Sequence, residues 1–161
     1  MSLRVHLRRQ VKAPTVDGRG IRRFAKSVLA GEGIADVGVT VVLTDDAGIR
    51  SLNARFRNRD AATDVLAFPL HEEGEPEPDP GETGAYLGDV VISLERAWAQ
   101  APRFHNDPEG ELARLITHGL LHLLGYDHHA PVDGRRMKAA ERRALARFEP
   151  GSLVPVKGTR A

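Results

Sequence analysis

Thr117-His-Gly-Leu-Leu-His-Leu-Leu-Gly-Tyr-Asp-His128 decides how this chain folds. Two histidines four residues apart, His118 and His122, project from one side of a helix. On a wheel of roughly 100° per residue, Leu112, Ile116, Leu120 and Leu123 gather on the other side. One face can therefore enter a core while the opposite face carries imidazoles. Asp107-Pro108 supplies the start of this helix, with an acid at the cap and proline in the first turn. Gly125 fits the left-handed position that ends it and turns the chain back, so that His128 can approach the pair. Three imidazoles leave a tetrahedral ion one open position, which marks a catalytic rather than a structural zinc site.

The spacing H-x-x-x-H-x-x-G-x-x-H is that of the metzincin proteases at every ligand and at the glycine. It departs from them at Gly119, where those enzymes carry the glutamate that activates water. The metal cradle is present without the peptidase base, and the glycine is expected to leave room for a bulky phosphodiester. Neutral ligands leave the ion's charge undiminished, which favours ionising a bound water near neutral pH. His129 stands beside His128 and could replace it, although the glycine-to-histidine offset favours His128. Asp127 reads either as a partner to a ligand imidazole or as a cap in the turn after the helix.

Outward from this run, strands and helices alternate. Val5 and Leu7 alternate with polar neighbours as a short first strand, and Ile21 to Ala30 reads as a helix stopped at Gly31-Glu32-Gly33. Val37–Leu43 is rich in β-branched residues and predicts a buried strand. Thr44, Asp45 and Asp46 offer caps for a helix carrying Ile49, Leu52 and Phe56. Residues 65–68 and 87–93 predict two more strands, and Ser93 can cap a helix reaching about Arg103. A last helix is expected from about Val132 to Phe148. The pattern gives an α+β fold: a small mixed sheet of about four strands packed by helices. Residues 1–150 read as a single domain and 151–161 as a disordered tail.

The 161 residues are 41% hydrophobic and 28% charged, ordinary for a globular protein. The chain has no cysteine, which excludes disulfides and thiolate metal sites. No apolar run reaches the length of a membrane span, and the amino terminus lacks the apolar stretch of a signal peptide, so a cytoplasmic protein is expected. The net charge of +1 conceals segregation. Residues 1–30 carry eight basic side chains against Asp17, whereas 71–85 carry six acids and no Lys or Arg. Such a division permits a basic surface for a polyanion, or simply two solvated faces. The Pro-, Gly- and acid-rich 71–85 segment is expected to be an exposed loop insertion.

Residues 52–69 form a second constellation, L-N-A-R-F-R-N-R-D-A-A-T-D-V-L-A-F-P. Arg55, Arg57 and Arg59 lie at a helix end and in the loop entering a strand. They could merely complement the helix dipole. Three arginines at spacing two cannot share one helical face, however, so at least one projects from the loop. A guanidinium's planar fork fits phosphate oxygens and keeps its charge at any working pH. Asp64 at the strand start can cap, or can orient an arginine or a metal ligand.

This stretch, then L-G-D-V-V-I-S, then H-G-L-L-H-L-L-G-Y-D-H, together resemble the YbeY family of bacterial rRNA maturation endoribonucleases. The resemblance implies one Zn²⁺ per chain held by His118, His122 and His128, Arg57 as the functional arginine, and a zincin-like metal helix against the sheet. Arg55 and Arg59 become candidate substrate-binding residues, Arg59 standing where the family usually has lysine. Ala67 stands where serine is common. The implied activity is single-strand-specific RNA cleavage in 16S rRNA 3′-end maturation and ribosome quality control. The implied partners are an rRNA precursor or the small subunit, with ribosomal proteins or an assembly GTPase. Two other readings remain: a non-catalytic ribosome-assembly factor with a structural metal, and a degenerate zinc peptidase.

Overall fold

The computed structural model describes residues 2–70, 85–126 and 131–155. Four strands, β1 (Arg4–Arg9), β2 (Val37–Thr44), β3 (Val65–Pro69) and β4 (Ala85–Ser93), form one mixed sheet in the order β1-β2-β4-β3. β1, β2 and β4 run parallel, and β3 pairs antiparallel with β4 as an edge strand. The helices are α1 (Gly18–Gly31), α2 (Asp46–Arg57), α3 (Leu94–Gln100), α4 (Pro108–Leu123) and α5 (Pro131–Leu145), with a 3₁₀ turn at Ala101–Phe104. The α+β class and the mixed four-stranded sheet agree with the expectation from sequence.

Alternation along the strands divides the sheet into two faces. Val39, Val41, Leu43, Val90 and Ile92 enter the main core with residues of α1, α3 and α4. Val42 and Val91 point the other way, toward Ile49 and Leu52 of α2 and toward Leu66 and Phe68 of β3. β3 thus presents Val65 and Ala67 to the main core and Leu66 and Phe68 to the α2 side. α5 packs outside α4 through Met137, Ala140 and Leu121. No described helix is long and apolar enough to cross a membrane.

The boundaries show where local chemistry outweighs hydrophobic spacing. α1 begins at Gly18, earlier than the apolar pattern from Ile21 suggests, because Asp17 caps it by accepting from the Gly20 N–H at 3.1 Å. The α-helix after Ser93 ends at Gln100 and tightens into the 3₁₀ turn rather than continuing to Arg103. The expected disordered tail does not hold for residues 151–155. Leu153 is completely buried, and the Glu109 carboxylate accepts the backbone N–H groups of Gly151, Leu153 and Val154 at 2.8–3.1 Å. The expectations for the 71–85 loop up to Gly84 and for residues 156–161 lie outside the described residues.

Candidate metal centre

α4 is buried along almost its whole circumference, in keeping with its apolar wheel. Past its first turn the partly open positions are Arg114, His118 and His122, spaced four apart. These form one polar stripe on a core helix. Leu112, Ile116 and Leu120 are completely buried and Leu123 nearly so, as the wheel predicts. At the end of α4, Gly125 has φ +94°, its N–H donates to His122 O, and the Tyr126 N–H donates to Leu121 O. This pair of bonds is the Schellman motif, which stops the helix and reverses the chain just before Asp127.

The two imidazoles meet edge to face with ring centroids 4.5 Å apart. Their Nε2 atoms lie 3.0 Å from each other. Two nitrogens bound at about 2.0–2.1 Å to one tetrahedral zinc are separated by roughly 3.3 Å, so a small rotation of either ring suffices. His118 Nδ1 lies 3.2 Å from Oε1 of Glu141 on α5. A carboxylate accepts, so this contact favours the tautomer with the proton on Nδ1, in which Nε2 would offer its lone pair to a metal. The donor set therefore fits a zinc-class ion. Among the described residues no group of three or more His, Cys, Asp or Glu side chains is placed to hold a metal. His128, with Asp127 and His129, lies outside the described residues, so the third ligand rests on the sequence alone.

His118, Gly119 and His122 line one wall of a cleft of about 310 Å³, and Val65, Leu66, Ala67 and Pro69 line the other. Gly119 does not provide the empty space expected for it. A Cβ there would stand 2.4 Å from Val90 Cγ1 and 3.3 Å from Val65 Cγ2. The missing side chain lets α4 approach the sheet, and substrate room lies on the histidine side instead.

Arg57 is not among the residues lining this cleft, but it reaches the outer edge of β3, the strand that forms the far wall. It is the last residue of α2, and Asn58 caps the helix in the left-handed conformation. Its Nη2 donates to Ala67 O at 2.8 Å, and its guanidinium lies 5.0 Å from the centre of the Phe68 ring. A neutral carbonyl and an aromatic face hold the group without neutralising it. Arg55 turns to the ring of Phe56, 5.2 Å away, and the exposed Arg59 projects from the loop. None of the three arginines lines the histidine cleft, and only Arg57 bonds a residue that does.

Two groups escaped the reading of the sequence. Glu141 is 23 residues from His118 on another helix, and no local pattern joins them. Arg114 lies one turn before His118, at a spacing that could have revealed it. Its Nε and Nη2 each donate at 2.7 Å to the fully buried Glu111, and its guanidinium lies 4.3 Å from the centre of the Phe104 ring. Asp64 faces this arginine at 3.9 Å and accepts from Gln100 at 2.9 Å, so it orients an arginine rather than a metal ligand. Burial would push the Glu111 carboxyl up. Hydrogen bonds from Arg114, Gln100 and Asn106, with the charge of Arg114, more than offset this and hold it below its ordinary value.

The family model described as Endoribonuclease YbeY matches residues 8–149. The Endoribonuclease YbeY of Anaeromyxobacter sp. (strain Fw109-5) is 47% identical over 131 residues, 81% of this chain and 64% of that protein. The one from Myxococcus xanthus (strain DK1622) is 43% identical over 79% of this chain and 42% of its own length. The chain thus spans less than two thirds of either relative. With the one from Roseiflexus sp. (strain RS-1), 42% identity extends over 83% of this chain and 84% of that protein. A solution structure from Thermotoga maritima superposes with a TM-score of 0.61 at 27% identity, covering 98% of this chain and 99% of its own. By the family model and these identities, the chain belongs to the YbeY endoribonuclease family.

Proposed function

We propose that this protein is a zinc-dependent endoribonuclease that cuts single-stranded RNA in the cytoplasm, acting in 16S rRNA 3′-end maturation and ribosome quality control. The observation that carries the reading is the facing pair of Nε2 atoms, 3.0 Å apart, in a cleft whose far wall, β3, is bonded at Ala67 by Arg57. The names of the relatives support RNA as the substrate class. His118, His122 and His128 would hold the ion, and Glu141 favours the metal-binding tautomer of His118. Bound there, a zinc ion supplies a Lewis acid for a phosphoryl oxygen and makes a water more acidic. Arg57 donates one N–H to Ala67 O at the edge of the strand that walls the cleft, and its remaining N–H groups can stabilise charge developing on a phosphate at that edge. The substrate would come from an rRNA precursor or the small subunit, with ribosomal proteins or an assembly GTPase presenting it.

The packing of Gly119 weighs against a degenerate peptidase, since Val90 fills the start of any side chain there. A non-catalytic assembly factor with a structural metal predicts no turnover. The test is cleavage of a labelled single-stranded oligoribonucleotide by highly purified protein, with zinc or with chelator, beside His122→Ala. Chelator-sensitive cutting lost in the variant is expected. Equal cutting by wild type and variant, or none by either, would overturn the nuclease reading.

A further inference from the structure

On the far side of β3 from the histidines, a groove of about 370 Å³ runs between α2 and the sheet. Phe56 and Phe68 stand in it edge to face, 5.7 Å apart, with Leu52 beside them and Arg8, Gln10 and Asp89 completing the lining. Phe56 is 56% exposed. A single exposed apolar side chain needs no explanation. Here, however, two aromatic rings are grouped with cations: Arg55 over Phe56 at 5.2 Å and Arg57 over Phe68 at 5.0 Å. Among the described residues, Arg8, Arg55, Arg57 and Arg59 form no ion pair.

We infer that this groove is a base-binding subsite for single-stranded RNA, taking a nucleobase next to the strand segment that lies in the histidine cleft. The inference rests on the nuclease reading for the identity of the polyanion. Aromatic faces inside a positive rim suit single-stranded nucleic acid, because each base has a π-face and each linkage a negative charge. The lining sorts these two parts. Asp89 repels phosphate from the groove, whereas its carboxylate and the Gln10 amide can bond a base edge. The phosphates are left to the arginine rim. Continuity with the cleft comes from the edge strand: Ala67 lines the cleft, the next residue Phe68 lines the groove, and Arg57 touches both. Successive residues of a strand point to opposite faces, so the cleft and the groove lie back to back across this edge strand. An RNA chain passing around that edge can contact both.

The test uses the zinc-loaded full chain and single-stranded oligoribonucleotides carrying 2-aminopurine at successive positions. Fluorescence quenching is read by stopped flow before cleavage proceeds, and cleavage is followed afterwards in the same samples. For the wild type, quenching at one position is expected, and an abasic residue there should weaken binding about tenfold. Phe56→Leu should abolish the quenching and weaken binding by a similar factor, whereas Phe56→Tyr retains both. Unchanged quenching and affinity in Phe56→Leu, with RNA cleavage intact, would overturn the subsite and leave the groove to a protein partner. Base-dependent binding without zinc-dependent cleavage by the wild type would instead overturn the nuclease reading and leave the subsite standing.

Discussion

Gly119 separates two effects of opposite sign. Alanine is favoured over glycine inside a helix by about 1 kcal/mol. The added Cβ would stand 2.4 Å from Val90 Cγ1, and a valine has little rotamer freedom with which to move aside. Overpacking of this kind costs about 1–3 kcal/mol, so Gly119→Ala should lower stability in a urea titration, and Gly119→Glu should yield little folded protein. A melting point for Gly119→Ala above wild type would show that Val90 gives way. For the ligands, alanine at His118, His122 or His128 should each remove zinc from a stoichiometry of about one, while His129→Ala keeps it. Elemental analysis decides, and zinc lost from His129→Ala but kept by His128→Ala would reverse the third assignment. Glu141→Gln should fold normally yet bind zinc about 10–100-fold more weakly, because the amide no longer holds the Nδ1 proton as a carboxylate does. Undiminished affinity in a competition titration would make the 3.2 Å contact incidental. The histidines and Gly125 were legible because helical spacing and a helix stop are local properties. Gly119 was misread because the atoms that explain it belong to β3 and β4.

At the scale of the element, the start of α4 is held by charge inside the protein. Asp107 caps it by accepting from the Gly110 N–H at 2.7 Å, and Glu111 in the first turn accepts from Arg114, Gln100 and Asn106. A carboxylate there also complements the helix dipole. The folded pKa of Glu111 is lowered, so its contribution is fully present above the unfolded value and is lost as pH falls through the folded one. Glu111→Gln removes the nearer of Arg114's carboxylate partners, leaving Asp64 at 3.9 Å, and the loss of its charged hydrogen bonds should cost about 1.5–3 kcal/mol near neutral pH. The gap to wild type should narrow once the pH drops below the ordinary glutamate range, about 4.3. Parallel urea titrations at about pH 7 and about pH 3.5 would measure it, and a gap equal at both would exclude the carboxylate as the cause. The helix itself was legible from Asp107, Pro108 and the apolar wheel. The network was not, because Glu111 and Arg114 three residues apart look like an ordinary surface pair. The 151–155 strap escaped for a similar reason: its composition reads as a tail, and the carboxylate that holds it lies on α4.

In the whole molecule, the cleft draws its walls from α4 and β3, while α2 and α5 reach those walls through Arg57 at Ala67 and Glu141 at His118. Sequence supplied the chemistry of each piece and, through the resemblance, the order of three of them. It did not supply the crossing of Arg57 over the sheet edge, which depends on β3 being the outer strand. That crossing makes Arg57 a test of the assembled site. The side chain is exposed, and its partners are a carbonyl and a ring, so its removal uncovers no buried charge. Arg57→Ala should therefore keep its zinc and its melting temperature. Its RNA cleavage should fall on the order of a hundredfold, the loss of a charged hydrogen bond made in the transition state. The slope of log affinity against log salt should also flatten by about 0.7, one phosphate contact on a single strand. Arg57→Lys restores the charge but not the planar fork, so it should recover the salt slope and only part of the rate. If both variants cleave as fast as wild type, the arginine does no more than complement the end of α2.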